Sequence, residues 1–371
     1  MKVAHLTTVH RRGDARIFAK DCVSLHSRHD VCLIVADGLG SDQISGVNIH
    51  DLGKPRGRLG RFTTTALKAA AKVRELEIDL VHFHDSELIP TALWLRARGL
   101  RVIYDVHEDL PRDILIKEWI PEVLRRPVSA IATSIEAIAD RYFDGIIGAT
   151  PLIADRFTLA KTILVRNFPL IQEFQVPINP RCSGKRAGSV AYIGTLSETR
   201  GVVEAVEATG RVDDVTLILA GTFNTPALEQ QVRSLAGWQS VDYRGFVSRE
   251  GAAEILKRSQ AGLCTLLPTA THLDSYPVKL FEYMAAGLPV IVSDFPLWRG
   301  LIEKHDCALF VDPSSPDEIA KAISWILTHP ERAEEMGRNG RRAVEKEFNW
   351  QTEAEQLIAF YNRFDETSHA G

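Results

Sequence analysis

Short apolar runs alternate with helix-length amphipathic stretches along the whole chain. Val3–Thr7, Val31–Ala36, Asp79–Phe83, Arg101–Tyr104 and Gly145–Gly148 each read as a buried strand with a helical stretch after it. That alternation restricts the fold to parallel sheets covered by helices on both faces. Such folds bind ligands at the carboxyl ends of their strands. Thr8–Gly13, His84–Glu87 and Asp105–Asp109 all lie at such ends and are expected to converge. Asp14 is placed to cap a helix from about 15 to 26. An amphipathic stretch from Ile114 to Arg126 carries Trp119, and a helix is expected from about 129 to 143.

The alternation breaks once. Residues 168–188 are rich in proline and polar residues, with Pro169, Pro177, Pro180 and Gly184, and read as a linker. Strands then resume at Ser189–Ile193, Thr216–Ala220, Val241–Tyr243, Gly262–Leu267, Val290–Val292 and Ala308–Val311. A chain of 371 residues is too long for one compact core and comfortable for two. The reading is an α/β protein with two Rossmann-like, doubly wound domains. The first spans 1–167, with a C-terminal helix at about 352–366 packing back on it, and the second spans 168–351.

Composition narrows the partners. Hydrophobic residues make up 45% and charged residues 25%, the balance of a water-soluble chain. A net charge of −4 gives no global attraction to nucleic acid or anionic membrane. One local stretch differs. From Lys54 to Arg74 the chain carries Lys54, Arg56, Arg58, Arg61, Lys68, Lys72 and Arg74 and no acid. Such a stretch suits anionic lipid headgroups, or is simply a solvated face. The five cysteines are scattered, with no CxxC, as in a reducing compartment such as the cytoplasm. The N-terminal run reads as a strand and not a signal peptide, and no apolar run approaches membrane-spanning length.

The most informative stretch runs from Asp274 to Val292. It reads as loop, helix, turn and buried strand, with Pro277 in the first helical turn and Gly287 as the C-terminal stop. Asp274 and Glu282 bracket the helix start, and Lys279 sits in its first turns. Free N–H groups and a cation suit phosphate, while carboxylates suit hydroxyls. The ligand is therefore expected to be part sugar and part phosphate.

These residues resemble the nucleotide-sugar site of the retaining GT-B glycosyltransferases of family 4. The family pattern is an acid, seven residues, Glu, a small-residue run, Gly, Pro and an apolar strand. Here Asp274 and Glu282 have that spacing, and Met-Ala-Ala-Gly-Leu-Pro-Val-Ile follows. Tyr192-Ile193-Gly194 with Arg200-Gly201, the Arg244–Val247 turn, Arg166-Asn167 and Phe348-Asn349-Trp350 match as well, so the resemblance covers nearly the whole chain. It implies a GT-B fold in which the two domains face a central cleft. It also implies that Glu282 holds the ribose hydroxyls, that Asp274 faces the donor sugar, and that Arg200 binds the diphosphate. His107 would line the sugar, Gly13 would belong to the loop that approaches donor and acceptor, and Phe246 and Val247 would read the base. Gly194, Thr195, Ser275, Tyr276 and Val278 would complete the nucleotide-sugar site.

Four features depart from the family pattern, one being that the usual glycine pair of the first loop is reduced to Gly13, which leaves Arg11, Arg12 and Arg16 for different work there. The first acid, usually Glu, is Asp274. The following loop, usually glycine-rich, is Ser275-Tyr276-Pro277. A second phosphate-binding Arg is replaced by Thr195, and Lys279 is the candidate substitute. The chemistry implied is transfer of a sugar, with retention, from a nucleotide-diphosphate sugar to a hydroxyl of a glycan or lipid-linked acceptor, as in polysaccharide assembly at the inner membrane face. No metal and no cofactor beyond the nucleotide sugar is expected. Fixed cations and N–H dipoles would stabilise the leaving phosphate instead. Three other readings remain open. One is a nucleotide-sugar epimerase or hydrolase of the same fold, and another a non-catalytic nucleotide-sugar binding module. The third is a metal-dependent hydrolase built on His82, His84 and Asp85 with His107, Glu108 and Asp109.

Overall fold

The computed structural model describes residues 1–117, 120–174 and 188–366. Trp119 and most of the expected linker lie outside these residues. The chain divides into two compact units: residues 1–167 with 351–371, and residues 168–350.

In the first unit, eight strands form one sheet. They are β1 (Lys2–Leu6), β2 (Asp30–Val35), β3 (Asp42–Ile44), β4 (Val47–Asp51), β5 (Leu80–Phe83), β6 (Arg101–Val106), β7 (Gly145–Gly148) and β8 (Thr162–Leu164), in the order β3-β4-β2-β1-β5-β6-β7-β8. Every pairing is parallel except β3 with β4. The second unit has β9 (Gly188–Ile193), β10 (Val215–Ala220), β11 (Val241–Gly245), β12 (Ala261–Cys264), β13 (Val290–Ser293) and β14 (Ala308–Val311), ordered β11-β10-β9-β12-β13-β14 and wholly parallel. The central strands are buried on both faces, as their unbroken apolar runs require. In each unit the order reverses once, between β1 and β5 and between β9 and β12. These reversal points open a crevice at the strand ends, where ligands of such sheets bind.

Local chemistry explains most element boundaries. Asp14 Oδ1 accepts from the N–H groups of Arg16 and Ile17, both at 2.9 Å, and so starts the helical segment that runs to His26. Ser248 and Ser315 cap the helices Arg249–Arg258 and Pro316–Thr328 in the same way. Gly287, at φ +67°, ends the helix Val278–Ala285 in the left-handed conformation that glycine adopts without strain.

Two expectations are corrected. The stretch from Ile114 to Arg126 is not one element. A helix ends at Ile116, and a second, 21 residues long, runs from Glu122 to Tyr142. It passes through Pro127, which lies close enough to the N-terminus that few carbonyls precede it. Pro277 is the N-cap residue, one position before the first helical turn, with extended ψ of 118°.

The last helix, Trp350–Glu366, is tied to the first unit by charge. The fully buried Glu353 accepts from the backbone N–H of Arg166 at 2.7 Å and from its guanidinium at 2.7 and 3.0 Å. Replacing Glu353 by Ala should cost about 3 kcal/mol, because a half-buried guanidinium and a backbone donor lose their acceptor together. Urea unfolding checks this: an unchanged midpoint would refute it, and Glu353→Gln should cost less.

Candidate functional site

In the first unit the loops that leave β1, β5 and β6 are held together by two carboxylates. Asp85 follows β5. Its Oδ2 accepts from the N–H groups of Thr8 at 2.5 Å and Val9 at 3.2 Å, and from the Thr7 hydroxyl at 3.0 Å. The loop after β1 is thereby fixed against the end of β5.

Asp105, in β6, is buried. Arg16 grips it with two guanidinium nitrogens, Nη2 to Oδ1 at 2.8 Å and Nε to Oδ2 at 3.1 Å, and spends the third on the Val165 carbonyl at 3.0 Å. Burial alone would raise this carboxyl. Arg16 and then His107 outweigh it and hold the group well below the usual carboxylate range. His107 Nε2 lies 2.9 Å from Asp105 Oδ2, and His84 Nδ1 lies 3.2 Å from the same oxygen. His84 Nε2 in turn lies 3.0 Å from His5 Nδ1. His82 Nδ1 meets the Tyr361 hydroxyl of the last helix at 2.7 Å. Burial, followed by the charges of the neighbouring rings, pushes His5 and His84 well below the ordinary imidazole value, so both are neutral at pH 7. An ionised Asp105 accepts hydrogen bonds from the His107 Nε2–H and His84 Nδ1–H groups, which leaves His84 Nε2 as the acceptor for His5 Nδ1–H. The result is a hydrogen-bonded relay whose outer member, His107, is partly exposed.

This relay is also where a metal could be sought. His5, His82 and His84, and separately His84, Asp105 and His107, each bring one ligand atom apiece within 4.8 Å of one another. The His84 ring stacks on those of His5 and His82 at 20° and 22°, and His5 and His82 are tilted by 39°. In the second set the nitrogens of His84 and His107 lie 3.1 Å apart and both turn to Asp105.

Beside the relay is a cavity of about 590 Å³, lined among others by Thr8, His10, Arg11, Leu39, Lys54 and Arg61. Arg12 does not face it freely, because two 2.8 Å bonds commit it to Asp37. Gly13 is exposed at the tip of the loop, with no atom within 4 Å of where a side chain would start.

In the second unit the crevice lies at the ends of β9 and β12. Gly194 ends β9 at φ +130°, and Thr195 is exposed beside it. Arg200 closes a short 3-10 turn whose carbonyl accepts from the Tyr192 hydroxyl at 2.5 Å. A Cβ on Gly201 would sit 2.0 Å from the Thr265 carbonyl oxygen, so only glycine seats this turn against the end of β12.

Lys279 is the unusual group here. It is buried, its Nζ has no hydrogen-bond partner among the described residues, and it lies 3.8 Å above the Tyr192 ring. Burial, opposed mainly by Cys264 and reinforced by the charge of Arg200, lowers it from 10.5 to about 8. Charge effects on Lys279 and Arg249 place Glu282, on the same helix, within reach of both cations. Val278 and Lys279 open the helix, so their N–H groups precede any intrahelical acceptor. Ser275 is held by Trp298 Nε1, which donates to its carbonyl at 2.8 Å, and Tyr276 packs on Phe168 and Phe281. Asp274 is half-buried and caps the short helix before it. Phe246 is 83% exposed after β11, while Val247 packs on the core.

The structure thus gathers Gly194, Arg200, Lys279 and Glu282 around one crevice and places His107 at the outer end of the relay in the other unit, whereas Gly13 stays exposed at its loop tip with no side chain against it. Sequence reasoning missed the clamp by Asp85, the Arg16 grip on Asp105, and Tyr361. Their partners lie 76 to 279 residues away, and no local signal marks them.

The family described as "Glycosyl transferases group 1" matches residues 184–343, and "Glycosyltransferase Family 4" matches residues 22–161. A D-rhamnosyltransferase of Pseudomonas aeruginosa is 28% identical over 149 residues, which is 40% of this chain and 38% of that protein. A glycogen synthase of Mycobacterium tuberculosis is 24% identical over 315 residues, 80% of this chain and 71% of its own length. Among solved structures, a sucrose-phosphate synthase from Thermosynechococcus elongatus superposes with a TM-score of 0.80 at 16% identity, covering 99% of both chains. HepE of Anabaena, solved in complex with UDP-glucose, superposes at 0.76 and 16% identity, covering 98% of this chain and 100% of its own. The structural likenesses show the fold.

A buried cation without a hydrogen-bonding partner costs stability. The gap between 10.5 and about 8 at Lys279 corresponds to about 3 kcal/mol. With the folded value depressed, the unfolded chain holds more protons between pH 8 and 10.5. The cost is full below pH 8 and fades as pH rises to 10.5. Lys279→Met should therefore stabilise the protein by about 3 kcal/mol at pH 7 and by little above pH 10.5. Thermal unfolding across this range measures it, and a destabilised variant at pH 7 would refute the assignment.

Proposed function

We propose, for a chain that belongs to the group 1, family 4 glycosyltransferases, that the second unit binds a nucleotide-diphosphate sugar and that the sugar passes with retention to a hydroxyl acceptor. The observation that carries this reading is Lys279. A buried cation that costs stability, beside Arg200 and at a helix start, is an arrangement a phosphate would relieve. The UDP-glucose bound by HepE, a protein of the same fold, supports a donor of this class.

The roles are those that the resemblance to the family implies. Glu282 takes the ribose hydroxyls. Arg200 and Lys279 take the diphosphate, with Lys279 standing in for the Arg that Thr195 replaces. Asp274 and His107 serve the reacting sugar. The bond between the anomeric carbon and the diphosphate oxygen breaks, and the leaving group carries the electron pair away. The acceptor oxygen bonds to the same face of the carbon, and its proton goes to the departing phosphate. Fixed cations and N–H dipoles lower this barrier because the negative charge grows in the transition state. The cavity beside Thr8, Arg11 and Lys54 receives the acceptor, a glycan or lipid-linked hydroxyl, and the basic stretch from Lys54 to Arg74 favours an anionic membrane surface nearby.

Three measurements test the proposal. Glu282→Ala should weaken binding of a nucleoside diphosphate by about tenfold or more, and Arg200→Ala should lower turnover by about a hundredfold. Donor affinity at the wild-type value in both variants would refute the site. NMR of the product should show the anomeric configuration of the donor, and inversion would exclude retention. A chelator such as EDTA should leave the rate unchanged; a lost rate restored by a divalent cation would favour metal-assisted chemistry at the histidines.

A further inference from the structure

The helix Glu122–Tyr142 packs on the first unit through Ala132, Glu136 and Ala139, followed by Phe143. One position earlier in each turn lies a second apolar set. Leu124, Val128, Ile131, Ile135, Ile138 and Tyr142 recur at alternating spacings of four and three. All but Val128, which is half-buried, are exposed, and Ile131 keeps 59% of its surface. Leu115, Ile116 and Val123, just ahead, are exposed too, and Val123 keeps 82%.

The polar content of this surface is low for a water-facing helix. From Pro127 to Ala139 the only charged residue is Glu136, which is buried and pairs with Arg156. The exposed Thr133 and Ser134 turn their hydroxyls back onto the Ser129 and Ala130 carbonyls, at 3.0 and 2.9 Å. A solvent-facing side of a globular helix is normally polar, and continuous apolar patches of this extent mark contact surfaces.

We propose that this face of the first unit lies on a lipid bilayer containing anionic headgroups. The charges choose between a bilayer and a second copy of the chain. Arg125 and Arg126 stand at one end of the stripe and Arg141 at the other. An antiparallel pair of copies would set arginines against arginines, and a parallel pair would set each against itself. The positions flanking the stripe, Pro127, Ser134 and Arg141 on one side and Arg125, Ala132 and Ala139 on the other, offer no acid in answer. Anionic headgroups answer both ends at once.

Neighbouring helices carry the same surface further. The helix Ile89–Arg96 packs between Glu122–Tyr142 and Ala66–Glu75, and the three share the core on one side of the sheet. It exposes Trp94, with the Arg98 guanidinium 3.5 Å over its ring. The helical segment from Gly57 to Glu75 exposes Leu59, Phe62 and Leu67, and Thr63 and Thr64 bond back to the Leu59 and Gly60 carbonyls. The basic stretch and the apolar stripe therefore lie on one helical layer. No helix among the described residues is long and apolar enough to cross a membrane, so the face lies along the bilayer and does not span it. The inference deepens the membrane-surface part of the proposed function, and the sugar-transfer part can hold or fail without it.

Flotation of the full chain with vesicles tests it. With phosphatidylcholine vesicles containing phosphatidylglycerol the protein should float, and with phosphatidylcholine alone it should float less. Ile131→Ser, Ile135→Ser and Ile138→Ser combined should lower the bound fraction by about tenfold at unchanged circular dichroism. Lys68→Gln with Arg74→Gln should lower it less and remove part of its salt sensitivity. Absence of flotation at low salt, or flotation unaffected by the three serines, would overturn the proposal. So would a dimer in size-exclusion chromatography that the serines convert to monomer while vesicle binding persists, since the stripe would then belong to a second copy.

Discussion

The first unit depends on one buried carboxylate. Asp105 sits inside a strand where an unpaired charge would be prohibitive, yet Arg16 meets it with two nitrogens and keeps it ionised. That charge orders the histidines around it. His107 and His84 turn toward it, and His84 in turn fixes His5. The same guanidinium reaches the Val165 carbonyl, so the loop after β1, the end of β6 and the end of the unit share one hub. The tetrad of side chains is stiff because each depends on the same ion pair.

The second unit uses the opposite device. Among the described residues no counter-charge is in hydrogen-bonding contact with the buried Lys279, and the fields of Cys264 and, less, Glu282 together with the face of Tyr192 moderate it. A satisfied ion pair makes structure, whereas an unsatisfied cation holds free energy that a suitable anion can release. The parallel topology puts both devices at the carboxyl ends of strands, beside the point where strand order reverses.

Much of the fold was legible in sequence because its signals are local. Alternating apolar runs mark strands buried on both faces, Asp14 marks a helix start and Gly287 a helix stop. The two parallel-sheet units follow from such signals. The errors were local too. The stretch expected to end at Arg126 and the helix expected from about 129 are joined through Pro127 in one helix, and the short antiparallel strand β3 has too few residues to show a period. At the crevice of the second unit, the spacing of Asp274 and Glu282 is visible in the chain, while the burial of Lys279 is not.

What the sequence determined by itself is the order of strands and helices, and hence which loops lie at strand ends, because periodicity and capping act over a few residues. Only the tertiary structure decided the electrostatics. Arg16 meets Asp105 across 89 residues of chain, and His82 meets Tyr361 across 279. Whether a lysine is solvated or stranded, and whether an isoleucine stripe is covered or left open, depends on neighbours brought together by packing. Desolvation and Coulomb energy act through space, so no spacing along the chain could announce them.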